Sequence, residues 1–475
     1  MTRLFRPNRR RFLQSAAALG AASYGGFSGA LSGISAHAAD TSGYKAIVCV
    51  FLLGGLDHYD TLIPYDQASY NRYAEIRAPL LSFYAASPAG PSRARNRLLP
   101  LAPDNAADFG GREFALPENL TGLSTLFQQG NAAIVGNVGP LIVPTTAAQF
   151  QDEAVSLPAR LFSHNDQQST WMSSRPEGAA TGWGGRFVDP TLLGGGAQSD
   201  QFAAITTRGN ELFLTGEQAL AYQVSVGGAT EIELLNFFEG VRSEPGGEDL
   251  FQSLRDQLTA STFSGSNLLE QDIAAAAENS IVTNASYNAA VADAAPLATP
   301  FPQTGLGQQL RTVAQTIAAR NVLLTNRQAF LSAIGGFDTH ANQVSDLPGL
   351  QTEIDGAVTA FYAAMVELGL ENDVTLFTAS DFGRTLFING DGTDHGWGGH
   401  HFVVGGSVNG RRIFGEIPPV DFGHPQDAGG GRLVPTTAVE EFAAPLGRWF
   451  GLTEGEVAAA LPNLSNFSAP PLDYI

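Results

Sequence analysis

The chain has 475 residues, of which 44% are hydrophobic and 15% charged, so it can fill an apolar core and is not generally disordered. Its formal net charge is −20, from 26 basic and 46 acidic residues, which argues against nucleic acid as a partner because a basic surface must neutralise the phosphates. Lys45 and Cys49 are the only lysine and cysteine, which excludes a Walker A loop, a cysteine zinc cluster and an internal disulfide.

Residues 1–38 have the pattern of a twin-arginine signal peptide. The arginines Arg9–Arg11 precede a weakly apolar stretch rich in alanine and glycine, and Ala36–Ala38 fits a small-x-small cleavage site. Glycine and serine interrupt that stretch too often for a membrane span. We therefore predict export by the twin-arginine translocase to the periplasm or the medium. Residues 39–475 would be the mature chain, with no integral membrane segment.

The mature chain begins with a strand-helix-strand pattern. The apolar run from Lys45 to Leu53 ends in Gly54-Gly55, as a central strand buried on both faces does when it opens into a turn. Apolar residues recur at helical spacing over 116–127, and the run 132–138 supplies a second buried strand. A helix between two apolar strands predicts a parallel sheet with right-handed crossovers.

Residues from about 200 to 300 have a different composition, richer in Gln, Ser, Asn, Asp and Ala, and we expect them to form a helical insertion or cap. The alternation of strands and helices then resumes. Predicted helices cover 305–319, 350–368 and 437–450, and predicted strands cover 328–334, 374–378 and 402–404. The sequence thus predicts an α/β fold, with a mostly parallel central sheet and helices on both faces.

Histidine and aspartate collect in four short segments that contain glycine or serine. The segments are 54–61, 162–166, 335–340 and 380–401, and the first, third and fourth follow directly on a predicted strand. Because the carboxyl ends of parallel strands face one crevice, these loops should converge on a single site. The candidate residues are Asp57, Asp60, Ser163, His164, Asp166, Asp338, His340, Asp381, Arg384, His395 and His400.

These residue types point to a divalent metal ion. Imidazole and carboxylate together suit zinc, manganese or iron, whereas carboxylate alone suits magnesium or calcium. Such an ion can polarise a phosphoryl or sulfuryl oxygen, which favours a hydrolytic site. The segments also have ordinary structural interpretations: Gly-Gly-x-Asp and Asp338-Thr-His340 are typical of turns, Asp166 could cap a helix, and His401 could point into the core.

In combination, the motifs resemble the exported bacterial family called domain of unknown function 1501. The matching motifs are Gly54-Gly-x-Asp57-x-x-Asp60-Thr61, Ser163-His164-x-Asp166, Gly336-Phe-Asp-Thr-His340, Ser380-Asp-Phe-Gly-Arg384-Thr385 and Asp394-His-Gly-Trp-Gly-Gly-His-His401. That family is grouped with the alkaline phosphatase superfamily. The resemblance therefore implies an alkaline phosphatase-like α/β sandwich with a two-metal site at the strand ends.

The resemblance also implies roles for individual residues. The implied metal ligands are Asp60 or else Asp57, Asp338, His340, Asp381, and His395 or His400. Phe382 stands where the superfamily has a histidine after the aspartate that corresponds to Asp381. The metal would be Zn, Mn, Mg or Ca.

The main hypothesis is an exported metal-dependent hydrolase of phosphate or sulfate esters, carried on a small molecule or a polymer. Ser163, or water activated by the metal, would attack the ester, and Ser169 and Thr61 are alternative nucleophiles. Arg384 would grip the substrate anion bidentately, beside His164 and Asp166. The alternative is a non-catalytic periplasmic binding or assembly protein that retains the fold and uses its insertion as a binding surface.

Overall fold

The structure is a computed structural model that describes residues 39–86, 92–193, 200–209, 212–229, 246–259 and 268–475. The predicted signal peptide, residues 1–38, lies outside the described residues. Among the helices that are described, none has both the length and the apolar character that crossing a membrane requires.

The described residues contain fourteen strands. In chain order they are β1 (Lys45–Leu53), β2 (Ile63–Pro64), β3 (Leu99–Pro100), β4 (Phe114–Leu116), β5 (Ala132–Gly139), β6 (Ala204–Thr206), β7 (Tyr222–Gln223), β8 (Arg327–Gly335), β9 (Val374–Ser380), β10 (Arg384–Asn389), β11 (Gly392–His395), β12 (Gly399–Val404), β13 (Ile413–Gly415) and β14 (Thr437–Ala438). Nine of them form a central sheet in the order β13-β5-β12-β9-β1-β8-β6-β7, with β14 also paired to β5. Only the two pairings of β12 in this sheet are antiparallel, which confirms the predicted, mostly parallel sheet.

Twelve α-helices lie within the described ranges. They are α1 (Gln67–Ile76), α2 (Ala78–Ala86), α3 (Thr121–Gln128), α4 (Ala147–Gln151), α5 (His164–Ser173), α6 (Trp183–Leu193), α7 (Gly247–Thr259), α8 (Leu268–Asp293), α9 (Gly305–Ala318), α10 (Gln343–Glu367), α11 (Val439–Phe450) and α12 (Glu454–Ala460). Helix α10 begins seven residues before its predicted start, because Pro348 and Gly349, which commonly break helices, are accommodated near its beginning.

Helices cover both faces of the central sheet. Alternate side chains of β1 enter two different hydrophobic cores, because successive residues of a strand point to opposite faces. Val48 and Val50 pack in the core that includes residues of α3, α9 and α10. Cys49 and Phe51 pack in the core that includes residues of α5, α6 and α11. The predicted α/β sandwich is therefore confirmed.

The stretch that was expected to be an insertion contributes to the central sheet. Strand β6 pairs with β8, and β7 pairs with β6 at the edge of the sheet. Helices α7 and α8 follow these two strands. Strands β6 and β7 could not be recognised in the sequence, because segments of three and two residues are too short to show an alternation of apolar and polar residues.

Candidate metal centre

The loops that follow three parallel strands lie side by side at one edge of the central sheet. In the register of the sheet, Leu53 at the end of β1 lies opposite Gly335 at the end of β8, and Leu52 lies opposite Ser380 at the end of β9. The loops that begin at residues 54, 336 and 381 therefore leave the same edge of the sheet side by side.

Three histidines and one aspartate gather at this edge. The Nε2 atoms of His340 and His395 are 2.8 Å apart, and they lie 3.3 and 3.1 Å from Oδ1 of Asp338. The Nε2 atom of His164 lies 3.5 Å from Oδ2 of Asp338. We call these four residues the histidine cluster. It joins the loop after β8 and the last residue of β11 to the first turn of α5.

Each imidazole of the cluster is oriented through its other nitrogen. The Nδ1 atom of His164 is 2.6 Å from Oδ2 of Asp381, and Nδ1 of His340 is 3.1 Å from Oδ1 of Asp394. The Nδ1 atom of His395 is 2.8 Å from the carbonyl oxygen of Phe162. Because all three partners can only accept, each Nδ1 carries the proton when the ring is neutral, and each Nε2 carries a lone pair.

The cluster therefore brings lone pairs together with a carboxylate. Such an arrangement is repulsive until a proton or a cation lies between the atoms. The Nε2 atom of His164 is buried and makes no hydrogen bond within the described residues. Histidine rings that donate Nδ1–H to a carboxylate or a carbonyl while Nε2 faces a common point are typical of metal-binding histidines. The ligand atoms of His164, Asp338 and His395 all lie within 4.8 Å of one another, and His340 lies beside His395, so the donor set fits a divalent metal ion.

The backbone at Phe162 is strained in a way that serves this arrangement. Phe162 has a φ of 71°, which bulky residues rarely adopt. Its carbonyl oxygen accepts the hydrogen bond from His395, and the next residue, Ser163, is the N-cap of α5. The strained turn thus fixes both the ring of His395 and the start of the helix that carries His164.

Burial and hydrogen bonds with neighbouring residues shift the pKa values of His164, His395 and Asp338. The hydrogen bond with Asp381 raises the pKa of His164, although burial opposes this shift. Burial lowers the pKa of His395. Burial alone would raise the pKa of Asp338, but the hydrogen bond and the charge of Arg384 lower it overall. Asp338 is therefore ionised at neutral pH.

Asp381 lies behind the cluster. Its Oδ2 atom accepts hydrogen bonds from His164, from the side chain of Gln168 at 2.9 Å and from the backbone of Gly54 at 3.2 Å. Its side chain is fully buried, and Oδ1 makes no hydrogen bond within the described residues. The geometry supports Asp381 as the residue that orients His164, and its predicted role as a direct ligand stays a prediction.

The contacts of Arg384 lie within the protein, which argues against its predicted role in gripping a substrate anion. The guanidinium is buried and donates to the carbonyl oxygens of Gly54 at 2.8 Å and Phe337 at 3.3 Å, to both oxygens of Thr393, and to Oδ1 of Asp338 at 3.1 Å. Each of its three nitrogens donates at least one of these hydrogen bonds. Arg384 therefore positions Asp338 and cannot also hold a substrate anion bidentately.

Asp57 and Asp60 are not in the cluster either. Both side chains are buried and paired with arginines: Asp57 with Arg77 at 2.5 Å, and Asp60 with Arg93 at 2.9 Å. Asp57 also caps the short helix that begins at residue 58, and it accepts from Gln343 at 2.6 Å. Their oxygens are occupied by structural donors, so the structure offers neither carboxylate to the metal position.

His400 is also separate from the cluster. Its Nδ1 atom accepts a hydrogen bond of 2.9 Å from the backbone of Asn137, and its ring packs against His58. Burial lowers the pKa of His400 to about 3, so the ring is neutral. His401 packs against Trp171 in the core, as its ordinary interpretation suggested. Of the two alternatives for the last histidine ligand, the structure therefore favours His395.

Ser163 and Asp166 form a pair at the start of α5. The hydroxyl of Ser163 donates to Oδ2 of Asp166 at 2.8 Å, and Asp166 is buried in the first turn of the helix. Asp166 also lies 3.7 Å from the guanidinium of Arg160. The pair adjoins His164 in the chain, and the predicted roles of Ser163 as nucleophile and of Asp166 in substrate binding stay predictions.

Sequence reasoning missed the orienting groups. Asp394 was visible only as the residue before His395, although a carboxylate next to a histidine is a common signal for an orienting partner. The Phe162 carbonyl left no signal, because any residue has one. His164 was assigned to the substrate, and the structure places its Nε2 atom in the cluster, 3.5 Å from Oδ2 of Asp338.

Gly54 permits the close approach of β1 to the loop that carries Asp338. Its φ is 116°, and a Cβ atom at this position would overlap the backbone nitrogen of Asp338. We expect Gly54→Ala to lower the free energy of unfolding by about 3 kcal/mol or more, because neither backbone can yield. Denaturant unfolding measures the effect. Gly429→Ala is the control, since Gly429 has a φ of 114° with open space around it; equal losses in the two variants would contradict the proposed overlap.

Comparisons with known proteins identify the family. A family model described as "Protein of unknown function (DUF1501)" matches residues 44–461, so the chain belongs to this family. No curated protein matches the chain.

Three solved structures share a distant likeness. "Crystal structure of Ps i-CgsB" is 9% identical, with 89% of this chain and 77% of that chain covered and a TM-score of 0.33. The same protein in complex with k-i-k-neocarrahexaose is 9% identical, with coverages of 87% and 74% and a TM-score of 0.31. BT33494S-sulf, described with the metabolism of glycosaminoglycans by Bacteroides thetaiotaomicron, is 11% identical, with coverages of 78% and 69% and a TM-score of 0.28. At TM-scores this low, these likenesses carry no argument about activity.

Proposed function

We propose that this member of the DUF1501 family is an exported, metal-dependent hydrolase of phosphate or sulfate esters. The histidine cluster would hold one divalent ion through Nε2 of His164, His340 and His395 and a carboxylate oxygen of Asp338. The observation that carries the proposal is the meeting of three lone-pair nitrogens with a carboxylate, each ring oriented by its own acceptor. Three imidazoles and one carboxylate favour zinc or manganese over magnesium or calcium.

The bound ion would supply Lewis-acid polarisation of an ester oxygen. The chain's own residues would hold the geometry. Asp381, Asp394 and the Phe162 carbonyl fix the ring planes, and Arg384 keeps Asp338 ionised and aimed at the cluster. Ser163 remains our candidate nucleophile, because its hydroxyl donates to the Asp166 carboxylate, which could accept the proton as the hydroxyl attacks.

We further propose that the protein acts in the periplasm or the medium. This proposal rests on the arginine, apolar and cleavage-site pattern of residues 1–38, and it makes the twin-arginine translocase a transient partner. A hydrolase exported in folded form could acquire its metal before crossing the membrane.

Metal analysis of the purified, folded full chain is the test. We expect about one zinc or manganese ion per chain, loss of the ion with a chelator, and its return on dialysis against the metal. We also expect the loaded protein to hydrolyse an aryl phosphate or an aryl sulfate, and the stripped protein to be inactive. A folded chain that takes up only a substoichiometric trace of any divalent ion would overturn the proposal. Full loading without hydrolysis of either ester would instead favour the non-catalytic binding or assembly protein.

A further inference from the structure

We infer that a cavity beside the histidine cluster binds two parts of the ester substrate. Arg432 binds the tetrahedral oxyanion of the ester, and two phenylalanines pack against the ring of the alcohol from which the ester is formed. The inference rests on the proposed function and names its substrate class. The cavity has a volume of about 460 Å³. It is lined by Phe150, Phe162, His340, Asp394, His395, Ala428 and Arg432. Two members of the histidine cluster therefore face the same space as an arginine and two phenyl rings.

Arg432 is held in place at the wall of this cavity. Its Nε atom donates to the carbonyl oxygen of His395 at 2.9 Å, and its Nη1 atom donates to that of Gly429 at 3.1 Å. Its guanidinium carbon lies 5.5 Å from the ring centroid of Phe162, within the range of a cation–π contact. Two backbone carbonyls and a ring face thus fix the plane of the guanidinium without neutralising its charge.

The charges around the cavity show why an anionic substrate would need this arginine. Asp394 lines the cavity, and Asp338 and Asp381 lie at or behind the cluster. Arg384 donates its hydrogen bonds to Asp338 and to backbone and threonine oxygens. Among the described lining residues, Arg432 is the one with a permanent positive charge. A guanidinium is also suited to a tetrahedral oxyanion, because it presents parallel N–H donors.

The aromatic wall indicates what the oxyanion is attached to. The rings of Phe150 and Phe162 meet edge to face with centroids 6.2 Å apart, and Phe150 also packs against Trp397 at 5.6 Å. Packed rings give a rigid, apolar surface, suited to the flat face of an aryl group or of a sugar ring. A volume of about 460 Å³ accommodates one such ring with its ester group. The geometry points to monoesters of ring-bearing alcohols.

The test measures binding of phenylphosphonate, a non-hydrolysable probe, to the zinc-loaded full chain by calorimetry. We expect Arg432→Gln to weaken binding by about 10- to 100-fold, as loss of a charge-assisted contact does, while zinc content stays at the wild-type level. Arg412→Gln is the matched control, because Arg412 is an exposed arginine that also lies over a phenyl ring, Phe414 at 5.8 Å, away from this cavity. It should bind like the wild type.

A second comparison tests the ring. Phe150→Leu should weaken phenylphosphonate binding while leaving inorganic phosphate binding unchanged, and benzenesulfonate with inorganic sulfate forms the corresponding pair for sulfate esters. Zinc-loaded Arg432→Gln that binds every probe as tightly as the wild type would overturn the inference and leave the proposed function standing. A chain that takes up no metal would overturn both.

Discussion

Asp338→Asn is expected to weaken metal binding by at least about 100-fold and to abolish metal-dependent ester hydrolysis. Substitution of an orienting residue alone costs about 10- to 100-fold in affinity, and Asp338 is itself the anionic member of the histidine cluster. It lies within 3.5 Å of all three imidazoles, so its loss removes the charge that would face the ion. Metal titration with a competing chelator measures the affinity, and an aryl ester assay measures the activity.

Asp346→Asn is the control for this change. Asp346 is an exposed aspartate in the first turn of α10, and its substitution removes the same charge eight residues from Asp338 in the chain. We expect wild-type metal content and activity in this variant. Asparagine at 338 can still accept the hydrogen bond of Arg384, so circular dichroism should show a folded chain. Wild-type metal affinity in folded Asp338→Asn would remove this residue from the site.

The convergence of the site follows from sequence because it depends on strand order and direction. Continuous apolar runs identify β1, β8 and β9, and parallel strands place their ends at one edge. The residues after those ends, such as Asp338 and Asp381, are therefore neighbours whatever the details of the loops. The pattern of apolar residues is sufficient for this prediction, because it indicates which segments are buried strands and in which order they follow one another along the chain.

The partners of each side chain do not follow from the same patterns. Asp60 and Asp338 both follow an apolar strand, yet one meets a buried arginine and the other meets three imidazoles. The partner of Asp60 is Arg93, which lies 33 positions further along the chain. The position of Asp338 depends on Arg384, which donates to it and to carbonyl oxygens of the loops after β1 and β8. Contacts of this kind are set by tertiary packing, which leaves no periodic signal in the chain.

Asp60→Asn is expected to lower the free energy of unfolding by about 3 to 5 kcal/mol while leaving metal content unchanged. Asp60 accepts hydrogen bonds from Arg93 at 2.9 Å, from Tyr73 at 3.0 Å and from Tyr84 at 2.5 Å, and all four side chains are buried. Removing one charge of a buried ion pair leaves the other without compensation, which costs this much. Denaturant unfolding, together with metal analysis of the folded variant, measures both quantities.

The ion pair between Asp104 and Arg411 provides the matched control, because both of its side chains are about half exposed. Solvent screens an exposed pair, so Asp104→Asn should change the free energy of unfolding by no more than about 1 kcal/mol. The contrast between the two variants separates burial from the mere presence of an arginine partner. If Asp60→Asn instead loses its metal and unfolds like the wild type, Asp60 is a ligand after all, and its pairing with Arg93 must be broken in the metal-bound protein.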